Sequence, residues 1–220
     1  MTTQENFNPA YVGQRPDILR VIPRGATSIL DVGCSNGTSG AEIKRVFKAR
    51  VTGIEYSDSM ATEAKDKLDR VIVGDVEADG IRSLLHGEAF DTVIFADVLE
   101  HLRDPWAALR NIRQHVCLGG VVIASIPNIR HIDTLFNLVV KGRWPYRDRG
   151  IHDRTHLRFF TKSNILEMFS ETGYRVEKIE TNYRLIERPH SANRYAKYFA
   201  IPGLRGFLAF QYVVRAKRVD

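Results

Sequence analysis

Apolar residues along the chain fall into short runs, each followed by a segment of helical period. Ser28–Val32, Arg50–Tyr56, Arg70–Gly74, Phe90–Ala96 and Val121–Asn128 read as five successive strands. The fourth, FDTVIFA, is almost continuously apolar, as a strand buried on both faces of a sheet must be. Helix-period segments follow the first four runs: AEIKRVFKA from Ala41, a segment from Ser57-Asp58-Ser59 to about Leu68, a short one within 79–87, and WAALRNIRQHV after Pro105. Gly119-Gly120 is expected to end the last of these. A short helix over Ile18–Pro23 precedes the first strand, and residues 1–17 read as a lead-in with Phe7 and Tyr11 as candidate anchors. Strands joined through helical crossovers predict a doubly wound α/β fold with a mostly parallel, right-handed sheet.

The alternation then breaks. Residues 129–160 are rich in His, Arg and aromatic side chains, too polar for a core strand and too rich for a passive linker. They read as an insertion covering a site. Thr161-Lys162-Ser163 caps a helix running to about Glu171, which Gly173 ends. Tyr174–Thr181 is a sixth strand, 186–206 a second basic and aromatic insertion, and Phe207–Lys217 a last strand. No long helix separates the last two strands, so the last is expected to pair antiparallel inside the sheet. The chain reads as one domain over 1–220, without internal repeat.

Composition narrows the picture slightly. A hydrophobic fraction of 44% suits a globular chain with a full core. Two cysteines, Cys34 and Cys117, are no disulfide framework, and a reducing cytosol is the expected location. The opening MTTQENFNPAYVGQRPD lacks the apolar core of a secretory signal, and Tyr198–Val214 is too interrupted for a membrane span. The net charge of +6 is uneven, since residues 141–220 carry 17 Lys/Arg against 8 Asp/Glu. Such a region suits an anionic lipid surface, nucleic acid or a phosphate-bearing substrate, or is simply a solvated face.

Chemistry concentrates where strands end. Asp31, Glu55, Asp75, Asp97 and Pro127-Asn128 all fall at carboxyl ends, the ligand side of such sheets. After the first strand the chain turns through Gly33 and Gly37, and a glycine turn before a helix lets a ligand approach the backbone. This turn serves either a dinucleotide or S-adenosylmethionine (SAM). Glu55, about 20 residues further on, is placed to accept ribose hydroxyls. Asp75 is either an acceptor for an adenine amino group or a helix cap.

The ordered set ILDVGCSNG, GIEYS, GDVE, FDTVIFADVLEHLRDP and LGGVVIASIPN resembles the motifs of class I SAM-dependent methyltransferases over roughly residues 25–220. Ser35 stands at the middle position of the glycine loop, where the family's commonest form has glycine. The late stretch GIHDRTHLRFFTKSNILEMF is similar to a subgroup associated with O-methylation of cell-surface polysaccharides and small molecules. The resemblance implies a Rossmann-like seven-stranded sheet with an antiparallel last strand, SAM as cofactor and S-adenosylhomocysteine as product. It implies Asp31, Gly33, Cys34 and Gly37 around the methionine part, Glu55 on the ribose with Tyr56 beside the adenine, Asp75 and Val76 at the adenine, and Asp97 with Val98 near the reactive sulfonium.

For a hydroxyl acceptor a base must remove a proton, and His101, His152 and His156 are the candidates. His101 lies in a Glu-His pair like that of quinone-pathway O-methyltransferases. Arg154 and Arg158 suit a substrate phosphate or carboxylate, or surface ion pairs. Tyr146, with Phe136, Trp144, Phe159 and Phe160, suits a sugar or ring pocket, or core. Asp97, Glu100, His101 and His152 include hard ligands, so metal use stays open, but no ligand spacing is compelling and transfer from SAM requires none, so no metal site is assigned. The expected partner is a small molecule or glycan. Peripheral membrane contact and a dimer stay open.

Two other enzyme classes fit less well. A nicotinamide oxidoreductase would share the glycine turn and Glu55 but not the DVLEHL segment. The basic C-terminal third allows an RNA-directed methyltransferase, but an amino-directed DNA enzyme usually has an Asn/Asp-Pro-Pro-aromatic run where this chain has Ala96-Asp97-Val98-Leu99.

Overall fold

The structure, a computed structural model, describes residues 13–219; Phe7 and Tyr11 lie outside them. Seven strands form one sheet: β1 Ser28–Val32, β2 Arg50–Glu55, β3 Arg70–Val73, β4 Phe90–Ala96, β5 Val116–Pro127, β6 Tyr174–Tyr183 and β7 Ala209–Arg218. Their order is β3-β2-β1-β4-β5-β7-β6. Strands β1 to β5 pair in parallel. β7 enters between β5 and β6, antiparallel to both, as the lack of an intervening crossover helix predicts.

Alternation along the strands builds two cores. Leu30, Val32, Ile54, Val93 and Phe95 face one way, Ile29, Val51 and Ile94 the other. The first face packs against α4 (Ile81–Leu85), α5 (Pro105–Ile112) and α7 (Lys162–Glu171). The second packs against α1 (Pro16–Leu19), α2 (Thr38–Phe47) and the end of α3 (Asp58–Lys65). The sheet is therefore doubly wound, with its order reversing between β1 and β4. A crevice opens at the carboxyl ends at that point.

Local chemistry explains where elements start and stop. Thr161 and Asn164 form a reciprocal capping box for α7, and Asp104 caps α5 before Pro105. Ser57 stands at the N-cap of α3, but its hydroxyl bonds Ser59 at 3.0 Å instead of capping. Helix α1 begins earlier than expected, because Pro16 presets the first turn; Ile18, Val21 and Ile22 are still buried beneath it. Gly119-Gly120 does not end a helix. Helix α5 stops at Ile112, β5 starts at Val116, and the glycine pair makes a bulge opposite the register shift between Phe90 and Thr92. A Cβ on Gly120 would stand 2.9 Å from the Asp91 carbonyl, so glycine is needed there.

Past β5 the chain leaves the sheet. Residues 129–160 contain α6 (Ile132–Leu135) and one π turn (Phe136–Val140), and return beside β5 through a bridge between Asn128 and Phe160. Residues 186–206 contain α8 (Ala196–Phe199) and the start of α9 (Arg205–Leu208). Among the described residues no helix is long and apolar enough to cross a membrane.

Candidate active site

The turn after β1 is left-handed at Gly33 (φ +72°) and Gly37 (φ +76°), a backbone that side chains resist. Two amides fix it to β2, Gly33 and Cys34 both donating to the Ile54 carbonyl at 2.8 and 3.1 Å. The turn is packed tightly on both sides. A Cβ on Gly33 would approach Val98 Cγ2 to 2.7 Å, and one on Gly53 would run into Cys34 Sγ. Burial, with Asp31 and Glu55 nearby, pushes the Cys34 thiol well up, so it stays protonated.

Buried carboxylates flank this turn. Glu55 accepts the amides of Ser35 (2.8 Å) and Ser57 (3.0 Å), placing it at the mouth of the glycine turn. Burial raises Asp31 to about 7; Arg15 pulls the other way and Glu55 adds to the rise. Asp75 acts as a cap, accepting the amides of Glu77 and Ala78 at 2.8 and 3.3 Å. Val76 packs partly on the core, and Tyr56 is 70% exposed.

Asp97, just beyond β4, has φ +58°. That conformation aims its carboxylate across the ends of β5 and β7, where it accepts Ser125 Oγ at 2.8 Å, the Gln211 amide and the Arg15 guanidinium. Arg15 also donates to Ser125 Oγ at 2.9 Å and to both oxygens of Asp17 at 3.0 Å. Asp17 in turn accepts Asn182 Nδ2 at 2.9 Å. Arg15, within the segment expected to be a lead-in, is thus a further member of this network. The one signal of it in the sequence is an arginine beside Pro16-Asp17, just before the first buried turn.

Two histidines meet after β4. The rings of His101 and His156 lie edge to face, 4.6 Å between centroids. Thr155 Oγ1 donates to Asp153 at 2.6 Å and lies 3.0 Å from His101 Nδ1. The single hydroxyl proton is thus spent on Asp153, so His101 Nδ1 donates and Nε2 carries the lone pair. His156 Nδ1 donates to the Ile151 carbonyl at 3.2 Å, which leaves its lone pair on Nε2 as well. Burial lowers the pKa of both rings, opposed by Asp153; His156 falls to about 4, with His101 adding to the drop. Beside them Glu100 is buried, its Oε2 lacking a hydrogen-bond partner among the described residues, and burial followed by Asp97 holds its carboxyl well above the usual range. The backbone carbonyl of Glu100 takes the amides of Leu157 and Arg158, tying the covering segment to the end of β4. Ligand-type atoms of Glu100, His101 and His156 all lie within 4.8 Å of one another.

The remaining sequence candidates lie elsewhere. His152 is fully buried in a separate cluster, its Nδ1 2.7 Å from Glu187, with Trp144 edge-on to its ring. Arg147 bridges Glu187 and Asp133 in that cluster. Arg154 forms an exposed ion pair with Asp148 at 2.8 Å, and the Arg158 guanidinium donates to the Arg103 carbonyl. Tyr146 is 72% exposed, whereas Phe160 belongs to the core.

This donor set fits SAM. A glycine turn is held against a strand-end carboxylate, and Asp31 with Arg15 nearby offers opposite charges to the ammonium and carboxylate of a methionine. A family model described as a methyltransferase domain matches residues 10–179. The chain is 26% identical over 179 residues to the ubiquinone biosynthesis O-methyltransferase of Psychrobacter arcticus, covering 78% of this chain and 68% of that protein. It is 26% identical over 149 residues to the malonyl-[acyl-carrier protein] O-methyltransferase of Bacillus cereus, covering 66% of this chain and 54% of that one. The match thus spans between about half and two thirds of these relatives. Its fold is similar to that of a SAM-dependent methyltransferase from Archaeoglobus fulgidus, with TM-score 0.66 and 19% identity over 92% of both chains. With the family model matching most of its length, the chain belongs to the methyltransferase-domain family, and its fold and cofactor are those of a class I SAM-dependent methyltransferase.

Proposed function

We propose that the protein is an O-methyltransferase acting on a sugar or another small polar acceptor in glycan or secondary-metabolite synthesis, working in the cytosol as a single domain. The observation that carries this reading is the Asp153–Thr155–His101 relay, which points a neutral imidazole from the end of β4. An O-methyl transfer needs such a base; an already nucleophilic amine or thiolate does not.

Gly33, Gly37 and Cys34 cradle the methionine part, and Asp31 lies beneath the ammonium. Arg15 takes the carboxylate and Asp97, with Val98, lines the methyl end. Glu55 holds the ribose, its two amide partners being ones a ligand can share. Tyr56 and Val76 border the adenine, and the capping of its own turn leaves Asp75 only a bordering role. SAM, when bound, supplies a methyl on a sulfonium, so attack by the acceptor oxygen forms an O–C bond, breaks the S–C bond and leaves neutral S-adenosylhomocysteine. His101 Nε2 takes the hydroxyl proton, and Asp153 stabilises the imidazolium through Thr155. His156 walls the base and keeps water out. Segments 129–160 and 186–206 cover the acceptor, and His152 with Glu187 fastens one to the other. Arg154 and Arg158 stand at the rim.

A quinol or other phenolic acceptor is the second reading, supported by the name of the Psychrobacter relative. The test is release of S-adenosylhomocysteine from SAM over panels of nucleotide sugars, glycans and catechols. We expect turnover on a hydroxyl acceptor, and His101→Ala to slow it by about 10²–10⁴-fold with S-adenosylhomocysteine affinity retained. Turnover only on amines, or full activity in His101→Ala, overturns the reading.

A further inference from the structure

A cleft of about 380 Å³ opens beyond the carboxyl end of β6, and nothing in the methyl-transfer site uses it. Asn182 and Arg184 form one wall, Asn193, Arg194 and Lys197 the other. Of the seven residues lining it, which include Thr181 and Tyr183, three are cations and none is a carboxylate. Among the described residues, Arg184, Arg194 and Lys197 enter no ion pair. Within residues 184–208 the one carboxylate is Glu187, which is buried and committed to Arg147 and His152, while Asp17 and Asp97 act on Arg184 from the side of the methyl-transfer site and are themselves paired with Arg15.

The cleft is built rather than incidental. The Arg184 guanidinium lies over the Phe210 ring, 3.9 Å from its centroid, and donates to the Glu187 carbonyl at 3.0 Å. Its backbone is fixed by Leu208, and its carbonyl accepts His131 Nε2. Asn193 spends its whole amide on 185–188, accepting from Leu185 and Ile186 and donating to Ile186 and Arg188. The two walls are thereby pinned together. The cleft also adjoins the methyl-transfer site: Asn182 donates to Asp17 and to Gln211, and both of their chains of contact end on Asp97.

We propose that this cleft is a phosphate subsite, with Arg184, Arg194 and Lys197 holding a diphosphate or phosphodiester group attached to the molecule being methylated. A planar guanidinium pair with a flexible ammonium suits several phosphate oxygens at once. Only the identity of the attached acceptor rests on the O-methyltransferase reading; phosphate binding itself does not. Two sources share this chemistry. One is a soluble acceptor carrying a diphosphate. The other is a lipid headgroup, for which the exposed Tyr198, Phe199, Ile201 and Leu204 alongside would meet the bilayer.

The full chain is titrated with inorganic pyrophosphate and, separately, with phosphatidylglycerol and phosphatidylcholine vesicles, in wild type, Arg194→Gln/Lys197→Gln and Lys48→Gln/Arg50→Gln. Each double variant removes two exposed positive charges, the second pair on the opposite rim of the sheet. We expect pyrophosphate or phosphatidylglycerol to bind wild type and the Lys48/Arg50 variant alike. The Arg194/Lys197 variant is expected to bind about tenfold more weakly, the loss of one charge-assisted hydrogen bond. Which of the two probes responds identifies the source. No binding of either probe, or equal weakening in both variants, overturns the subsite. S-adenosylhomocysteine titrated in the same samples reads the cofactor site independently, so its failure is distinguishable from failure of the subsite.

Discussion

Two residues carry opposite pH signatures. Asp31 is buried with a folded pKa of about 7, above its value in an unfolded chain. Its contribution to stability is complete below about pH 4 and is lost as pH rises through 7. Asp31→Asn should therefore raise the melting temperature at pH 8 by about 3–6 °C, on the order of 1–2 kcal/mol, and change it little at pH 4. In the proposed site the same carboxylate faces the cationic end of SAM, so wild-type affinity should rise with pH across about 7 and Asp31→Asn should flatten that rise. A stabilised variant that binds SAM as tightly as wild type would contradict the placement. His101, the proposed base, has the reverse profile: burial lowers its pKa, so the neutral ring is present at pH 7 and is lost only on the acid side. The kcat/KM profile should show an acid limb below about 6.5 that Thr155→Val moves and His101→Ala abolishes. The motif spacing made Asp31, Glu55, Asp97 and His101 visible, because each ends a strand or follows one closely. Arg15 was not visible, since its role depends on reaching the end of β4 from 82 positions earlier. His152 and His156 looked equivalent in sequence; burial against Glu187 separates one from the other.

At the level of elements, strand positions were legible because a sheet buried on both faces forces apolar runs, and β1 and β4 match their expected bounds. The start of β5 was not, because Gly119-Gly120 reads locally as a helix stop and only the pairing with β4 shows a bulge. The glycine turn depends on its neighbours. Gly53→Ala would drive a methyl into Cys34 Sγ and displace the turn, so we expect a loss of about 1–3 kcal/mol in urea unfolding together with weaker S-adenosylhomocysteine binding. The covering segment depends on Glu187. Burial raises this carboxyl, but His152 and Arg147 outweigh that and hold it low. Glu187→Ala leaves the buried His152 amide and ring and the part-buried Arg147 without their carboxylate and should cost about 3–5 kcal/mol, while Glu187→Gln should cost less. Limited trypsin digestion reads the effect locally: cleavage at Arg143–Arg158 should accelerate in Glu187→Ala more than cleavage in β6 or β7.

For the whole molecule, the order of the sheet brings the Gly33 turn, Glu55, Asp97 and Ser125 to one rim, and chain positions 15, 153–156 and 211 close over it. The antiparallel β7 matters here, because it delivers Gln211 to Asp97 and sets β6 beside the cationic cleft. The basic character of the C-terminal third was plain in the sequence, but its focus at Arg184, Arg194 and Lys197 appears only when 186–206 folds back on β6. Calorimetric titration of the purified protein with SAM, S-adenosylhomocysteine and NADH probes the SAM site at that rim. We expect micromolar binding of the first two, none of NADH, and an affinity loss of about 1–3 kcal/mol in Glu55→Ala. Binding of NADH alone, or an unchanged affinity in Glu55→Ala, would contradict that site.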